Sequence, residues 1–299
     1  MNGVVNFLKP PGMTSSDAVV WLRWVLGTRK CGHGGTLDPA ACGVLPVLVG
    51  QGTKLFDRML GHEKTYAATL RFGAATDTLD AQGTVTARTD ATPTKETLLS
   101  VLPKFTGQIE QIPPLYSAIR IDGRHAYELA RNGKEAEVPK RTVTIREIGN
   151  PVWMDEKTAT IRVRCSSGTY IRTLAADIAR ECGSLAYLSA LTREKSGDLS
   201  IDDAWRVEEL LKLKESGRIA EAVTPMDELL RDIPACRVTE EALTRAVNGA
   251  AISFSQTDKK AFAAGESVRL LTPQNDLIGI CRAEDDERLH MKTMLYLKK

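Results

Sequence analysis

The segment Lys30-Cys31-Gly32-His33-Gly34-Gly35-Thr36-Leu37-Asp38-Pro39-Ala40-Ala41-Cys42-Gly43 places one carboxylate, Asp38, among several glycines and directly before a proline. Glycines permit left-handed backbone and close approach to a ligand, and Pro39 fixes the turn that follows Asp38. A carboxylate in such a setting can act as a nucleophile. Taken alone, the same pattern also describes an ordinary turn residue. Asp77 and Asp80, in Thr76-Asp77-Thr78-Leu79-Asp80-Ala81-Gln82-Gly83, invite a calcium reading. The remaining oxygen ligands and the terminal glutamate of a calcium loop are missing, so both read as loop-structuring residues, Asp77 with an indirect contact to the site. The cysteines (31, 42, 165, 182, 236 and 281) include no Cys-x-x-Cys pair, which leaves no zinc spacing. A zinc base deaminase is excluded as well, because His-x-Glu with Pro-Cys-x-x-Cys is absent.

Further motifs follow in order around Asp38. Lys9-Pro10-Pro11-Gly12-Met13-Thr14-Ser15 precedes it, and Lys64-Thr65-Tyr66, the Thr76–Gly83 loop, Pro113-Pro114-Leu115-Tyr116-Ser117-Ala118 and Cys165-Ser166-Ser167-Gly168-Thr169-Tyr170-Ile171-Arg172 come after it. This ordered set, spanning residues 1 to about 197, closely resembles the TruB family of tRNA pseudouridine synthases. The resemblance implies that Asp38 is the nucleophile, that Tyr66 lies against the target base and removes the C5 proton, and that Arg172 pairs with the catalytic carboxylate. It further implies that Tyr170 and Leu191 complete the nucleotide pocket and that His33 helps displace the uridine. Read from their own patterns, Tyr66 and Leu191 are also core positions, Tyr170 a sheet plug, Arg172 a solvated side chain and His33 a structural residue. One departure is Cys182-Gly183-Ser184-Leu185-Ala186-Tyr187-Leu188, where Tyr187 stands at a position that commonly carries His.

The implied reaction isomerises uridine to pseudouridine at position 55, in the TΨC loop of tRNA. The N1–C1′ bond breaks, the uracil turns, and C5 rejoins the sugar. The target must first leave its stack, which costs a few kcal/mol and calls for an aromatic platform such as Tyr66 in exchange. Neither metal nor organic cofactor is implied, the partner is the TΨC stem-loop of tRNA, and the chain is expected to act as a monomer without an obligate protein partner. Two other readings stand beside this one: a tRNA-binding or folding chaperone without chemistry, and the catalytic subunit of a guide-RNA pseudouridylation particle.

The elements that would position these residues alternate between strand and helix patterns without regular βαβ order. Residues 4–8 read as a short strand, 15–26 as a helix stopped by Gly27, and 64–72 as a half-buried strand with Tyr66, Ala68, Leu70 and Phe72 on one face. Residues 159–165 alternate likewise, and 169–182 turn helical. The expectation is an α+β fold, a pseudouridine synthase catalytic domain on a largely antiparallel mixed sheet flanked by helices. That domain would span 1–232, with an RNA-clamping insertion at about 115–146 (Arg120, Arg124, Arg131, Lys134, Lys140, Arg141, Arg146). A small β-rich, PUA-like RNA-binding module would follow at 236–299.

Composition narrows the class less. The net charge of +2 does not by itself argue for nucleic acid, though residues 1–60 and 115–146 are locally basic and 201–232 acidic. Scattered cysteines fit reduced thiols in a cytoplasm. No apolar run approaches the roughly 18 residues that cross a bilayer, and the first residues lack the apolar centre of a signal peptide.

Overall fold

A computed structural model of the chain describes residues 1–114, 138–259 and 261–296, with the backbone alone at 120–121 and 124–125. Tyr116, Arg131, Lys134 and the side chains of Arg120 and Arg124 therefore lie outside the described residues. Among the described residues no helix is long and apolar enough to cross a membrane.

Eleven strands among the described residues build one mixed sheet. Those that concern the site are β1 (Gly3–Lys9), β2 (Cys31–His33), β3 (Cys42–Val49), β4 (Lys64–Phe72), β5 (Gly107–Gln111), β6 (Arg141–Ile148), β7 (Thr158–Cys165) and β8 (Ala186–Ser196). The main path runs β1, β3, β8, β4, β7, β6, β5, with the short strand Thr224–Pro225 on the outer edge of β1. Neighbours are antiparallel except β3 and β8, which run parallel through Thr192–Cys42 and Arg193–Gly43. This is the α+β architecture on a largely antiparallel mixed sheet that the sequence predicts.

Helix α1 (Ser15–Leu26) starts at a capping box between Thr14 and Asp17 and ends where Gly27 turns left-handed. Its Ala18, Val19, Leu22, Val25 and Leu26 recur at helical spacing and sink into the core. Helix α2 (Ile171–Glu181) buries Ile171, Leu174, Ala175 and Ile178 against the face of β4 and β7 that carries Tyr66, Ala68, Leu70, Ile161 and Val163. Because side chains alternate along a strand, Thr65, Thr69, Arg162 and Arg164 face the other way.

A second, five-stranded sheet runs through Ala235–Arg237, Ser267–Leu271, Leu277–Ala283, Arg288–Met294 and Ile252–Ser253. It curls around its own core of Val268, Leu270, Ile278 and Leu289. A small apolar cluster of Leu55, Leu230, Ile233 and Leu295, an ion pair between Arg269 and Asp227 at 2.6 Å, and the Lys54 Nζ bond to the Met294 carbonyl at 2.7 Å attach it to the larger sheet.

Gly43 shows one reason why the segment 30–43 is rich in glycine. Its φ is +111°, and a Cβ there would stand 2.3 Å from the carbonyl oxygen and 2.7 Å from the amide nitrogen of Arg193. The close approach expected toward a ligand is, at this position, an approach between two parallel strands. The obstacle is backbone and no rotamer relieves it, so Gly43→Ala should lose at least about 2 kcal/mol of stability. Equilibrium urea unfolding followed by circular dichroism measures this, and an unchanged midpoint would contradict it.

Candidate active site

Asp38 sits between two residues that the N-terminal segment holds. On one side, Ser15 Oγ accepts the Leu37 amide at 2.8 Å and donates to the Leu37 carbonyl at 2.9 Å. On the other, the Pro39 carbonyl accepts the Gly12 amide at 2.8 Å and the Lys9 ammonium at 3.3 Å. Lys9 is fully buried and also donates to the carbonyls of Pro10 and Met13. Burial lowers its pKa, and the nearby Cys42 and Asp38 oppose that shift. The Lys9–Ser15 motif thus serves as a clamp that immobilises the backbone around Asp38.

The carboxylate itself meets Arg172. Nε of Arg172 lies 2.9 Å from Oδ2 of Asp38, and Nη1 lies 3.6 Å from Oδ2 of Asp80 and 3.0 Å from the Thr78 carbonyl. The Arg172 side chain is 6% exposed, whereas Asp38 keeps 36% of its side chain open to solvent. The guanidinium is therefore withdrawn, and the carboxylate it orients faces the cleft. Arg172 stands in the first turn of α2, whose preceding residue is fixed by a buried amide. Gln111 accepts the Tyr170 amide at 3.0 Å through Oε1 and donates Nε2 to the Tyr170 carbonyl at 3.2 Å.

Asp80 belongs to this site, contrary to its reading as a loop-structuring residue alone. Its Oδ1 accepts Thr78 Oγ1 at 2.7 Å and the Gln82 amide at 3.0 Å, which aims the other oxygen at Arg172. The loop docks on β8 through Leu188 N to Leu79 O at 3.0 Å and Ala81 N to Leu188 O at 3.1 Å. These bonds hold Leu79 at a φ of +62°, a conformation that L-residues rarely adopt. Asp77 accepts the Thr84 amide at 2.8 Å within the same loop.

Asp38, Tyr66, Tyr170, Arg172 and Leu191 line one cleft of about 230 Å³, together with Lys64 and Arg193. Tyr66 is 9% exposed at the inner wall. Burial raises the pKa of its phenol, and the neighbouring Arg193 guanidinium opposes that shift. Lys64 donates to the carbonyls of Leu60 and His62 at 2.5 and 2.6 Å, and burial, assisted by Arg193, lowers its pKa to about 8. His33 stands on β2 at the entry to the catalytic loop and does not line the cleft. Its pKa is lowered by burial first and Arg193 second. Arg141 lies over the Tyr170 ring at 5.9 Å, at the cleft mouth, while Arg146 and Lys140 are paired with Glu63 and Glu110.

A larger groove of about 430 Å³ lies on the opposite face of the sheet, lined by Thr65, Arg162, Arg164 and Lys195 among others. Arg164 is paired with Glu63 and Arg162 with Glu194, so its charges are largely spent. The smaller cleft holds Asp38. Among the described residues, no cluster of His, Cys, Asp and Glu suits a metal ion.

Sequence reasoning overlooked Arg193, Gln111 and the pairing of Asp80 with Arg172. The Thr76–Gly83 motif was a usable signal for Asp80, whereas Gln111 has no local signature. Ser15→Ala tests the clamp. It strands a buried amide and carbonyl of Leu37 and should reduce stability by about 1–3 kcal/mol in chemical denaturation. Wild-type stability would mean that Ser15 does not hold the loop.

A family model described as TruB family pseudouridylate synthase (N terminal domain) matches residues 23–171. The tRNA pseudouridine synthase B of Bacillus velezensis is 39% identical over 286 residues, covering 94% of this chain and 92% of that protein. The protein of the same name from Moorella thermoacetica is 41% identical over 291 residues, covering 96% and 95%. Two solved structures share the fold. A Cbf5–Nop10–Gar1 complex matches with a TM-score of 0.75 at 24% identity, covering 98% of this chain and 85% of the other. An H/ACA RNP bound to a substrate RNA containing 2′-deoxyuridine matches with a TM-score of 0.74 at 23% identity, covering 99% and 85%. With relatives this similar over nearly its whole length, the chain belongs to the TruB family of pseudouridylate synthases.

Proposed function

We propose that this chain isomerises uridine to pseudouridine at position 55, in the TΨC loop of tRNA, with Asp38 as nucleophile, Tyr66 as platform and C5 proton acceptor, and Arg172 as the group that aims Asp38. The observation that carries this reading is the solvent-facing Asp38 carboxylate, 2.9 Å from a nearly buried guanidinium and lining one cleft with Tyr66. Relatives named tRNA pseudouridine synthase B, with 39–41% identity, support tRNA as the substrate. The Cbf5 likeness, at 24% identity, concerns the fold and adds no weight to a guide-RNA reading.

The reaction conserves every atom and electron of the nucleotide, so the work is positioning and charge stabilisation. Asp38 attacks the flipped nucleotide, or stabilises the sugar as the N1–C1′ bond gives its electron pair to the uracil. The freed ring turns on Tyr66 between Leu191 and Tyr170, and C5 bonds to C1′, releasing the Asp38 carboxylate from whichever atom it had bonded. The C5 proton then passes to the Tyr66 oxygen, whose own proton has gone to water, the C5–H electron pair restores the C5–C6 double bond, and N1 takes a proton from water. Lys64, Arg172 and Arg193 outnumber the carboxylates lining this cleft, which suits a polyanionic substrate. Residues 1–232 would form the catalytic part and 236–299 the RNA-binding module. The chain would act as a monomer in the cytoplasm.

Unmodified tRNA transcript carrying tritium at uridine C5 tests the reaction. Release of tritium with pseudouridine mapped to the TΨC loop is expected, and tight binding without release would favour a folding chaperone. Asp38→Asn should abolish release while tRNA binding stays within several-fold. Near wild-type turnover would sink its role as nucleophile. Asp80→Asn should slow turnover at least about tenfold without weakening binding comparably, because Arg172 loses the second carboxylate that fixes its position. An unchanged rate would show that Arg172 is held without Asp80.

A further inference from the structure

Arg193 is the largest fully buried side chain among the described residues, 1% exposed, at the inner wall of the cleft. Among the described residues no carboxylate lies within ion-pair distance of its guanidinium. It is instead surrounded by carbonyls. Nε donates to Val44 O at 2.7 Å, Nη1 to Thr36 O at 3.2 Å and Nη2 to Gly35 O at 3.2 Å. A buried cation satisfied only by neutral acceptors carries a large desolvation penalty. A methionine or leucine would fill the same volume without that cost, so the charge itself needs a reason.

The register of the sheet supplies one. Arg193 on β8 is the direct cross-strand partner of Tyr66 on β4, on the same face; its guanidinium donates to the Gly35 and Thr36 carbonyls that lead into Asp38 and also interacts with the Tyr66 phenol. We infer that Arg193 is a positioning residue that acts through Tyr66: it fixes the phenolic oxygen relative to the Asp38 loop and supplies the positive charge that makes the deprotonated oxygen accessible when the C5 proton is taken. This rests on the reading of Tyr66 as the C5 proton acceptor.

The need for such a charge follows from where Tyr66 lies. Its burial makes a phenolate costly, and the guanidinium is the foremost group opposing that cost. Lys64, the other cation beside it, is committed to the carbonyls of Leu60 and His62, while Asp38 and Cys165 act in the unfavourable direction. Arg172 is engaged by Asp38 and Asp80. Arg193 also binds both ends of the catalytic segment, at Gly35 and at Val44, so one side chain sets the position of nucleophile and base together.

Single-turnover pseudouridine formation on tRNA with protium or deuterium at the target C5 tests this, using wild type, Arg193→Lys, Arg193→Met and Tyr66→Phe. Arg193→Lys keeps the charge without the fork. It should lower the rate at least about tenfold while tRNA affinity stays within about threefold, with Arg193→Met slower still. The C5 isotope effect should exceed that of wild type, because proton removal becomes limiting. A slowed variant with a wild-type isotope effect, or a wild-type rate, would overturn the proposal while leaving Tyr66 intact as the acceptor. Normal turnover by Tyr66→Phe would instead overturn the reading on which it rests. Should the Arg193 variants fail to fold, the guanidinium ¹⁵N signals of wild type and Tyr66→Phe give a second measurement. A slowly exchanging arginine signal should shift when the phenolic oxygen is removed, and no shift would overturn the proposal.

Discussion

Arg172 joins a solvent-facing carboxylate, Asp38, to a withdrawn one, Asp80, and to the carbonyl of Thr78. Asp38, the Thr78–Asp80 pair and Arg172 come from three segments far apart in sequence, so their meeting fixes how the Asp38 loop, the Thr76–Gly83 loop and the start of α2 sit against one another. An ion pair this buried is poor evidence of stability by itself, because desolvation offsets much of the attraction. Its value here is geometric. A planar guanidinium held by two acceptors has little freedom, and the Asp38 oxygen it contacts inherits that order. The Gln111 amide and the Leu79–Leu188 bonds then read as supports for one interaction.

The same economy governs the other cations. Lys9, Lys64 and Arg193 are buried, and all three are solvated by backbone carbonyls. Carbonyl partners satisfy the donors without cancelling the charge. The walls around Asp38 therefore keep a positive character that a set of paired carboxylates would have removed, and the backbone supplying those carbonyls is ordered at the same time. On the opposite face of the sheet the cations are paired with carboxylates instead, Arg146 and Arg164 sharing Glu63 and Arg162 meeting Glu194. The two faces thus present different fields.

Much of the framework was legible in the chain itself. The alternation of Tyr66, Ala68, Leu70 and Phe72 predicts a half-buried strand, and β4 is one. Thr14, Asp17 and Gly27 mark both ends of α1. These signals work because strand and helix periodicities, caps and left-handed glycines are set by atoms close in sequence. The ordered motifs also brought Asp38, Tyr66, Tyr170, Arg172 and Leu191 forward as a group, and the cleft contains all five. His33 and Arg146 behaved differently. His33 stands beside the loop without lining the cleft, and Arg146 is turned to Glu63.

What the sequence determined by itself was local form and the identity of the reactive types: an Asp between glycines, a Tyr on a buried strand face, an Arg opening a helix. Only the tertiary structure decided that Asp80 shares Arg172, that Gln111 anchors Tyr170, and that Gly43 is required by the Arg193 backbone of another strand. Each of these depends on register between strands or on docking of a loop. Such pairings join residues dozens to more than a hundred positions apart, and their energy resides in packing and hydrogen-bond closure that leave no periodic trace in the chain.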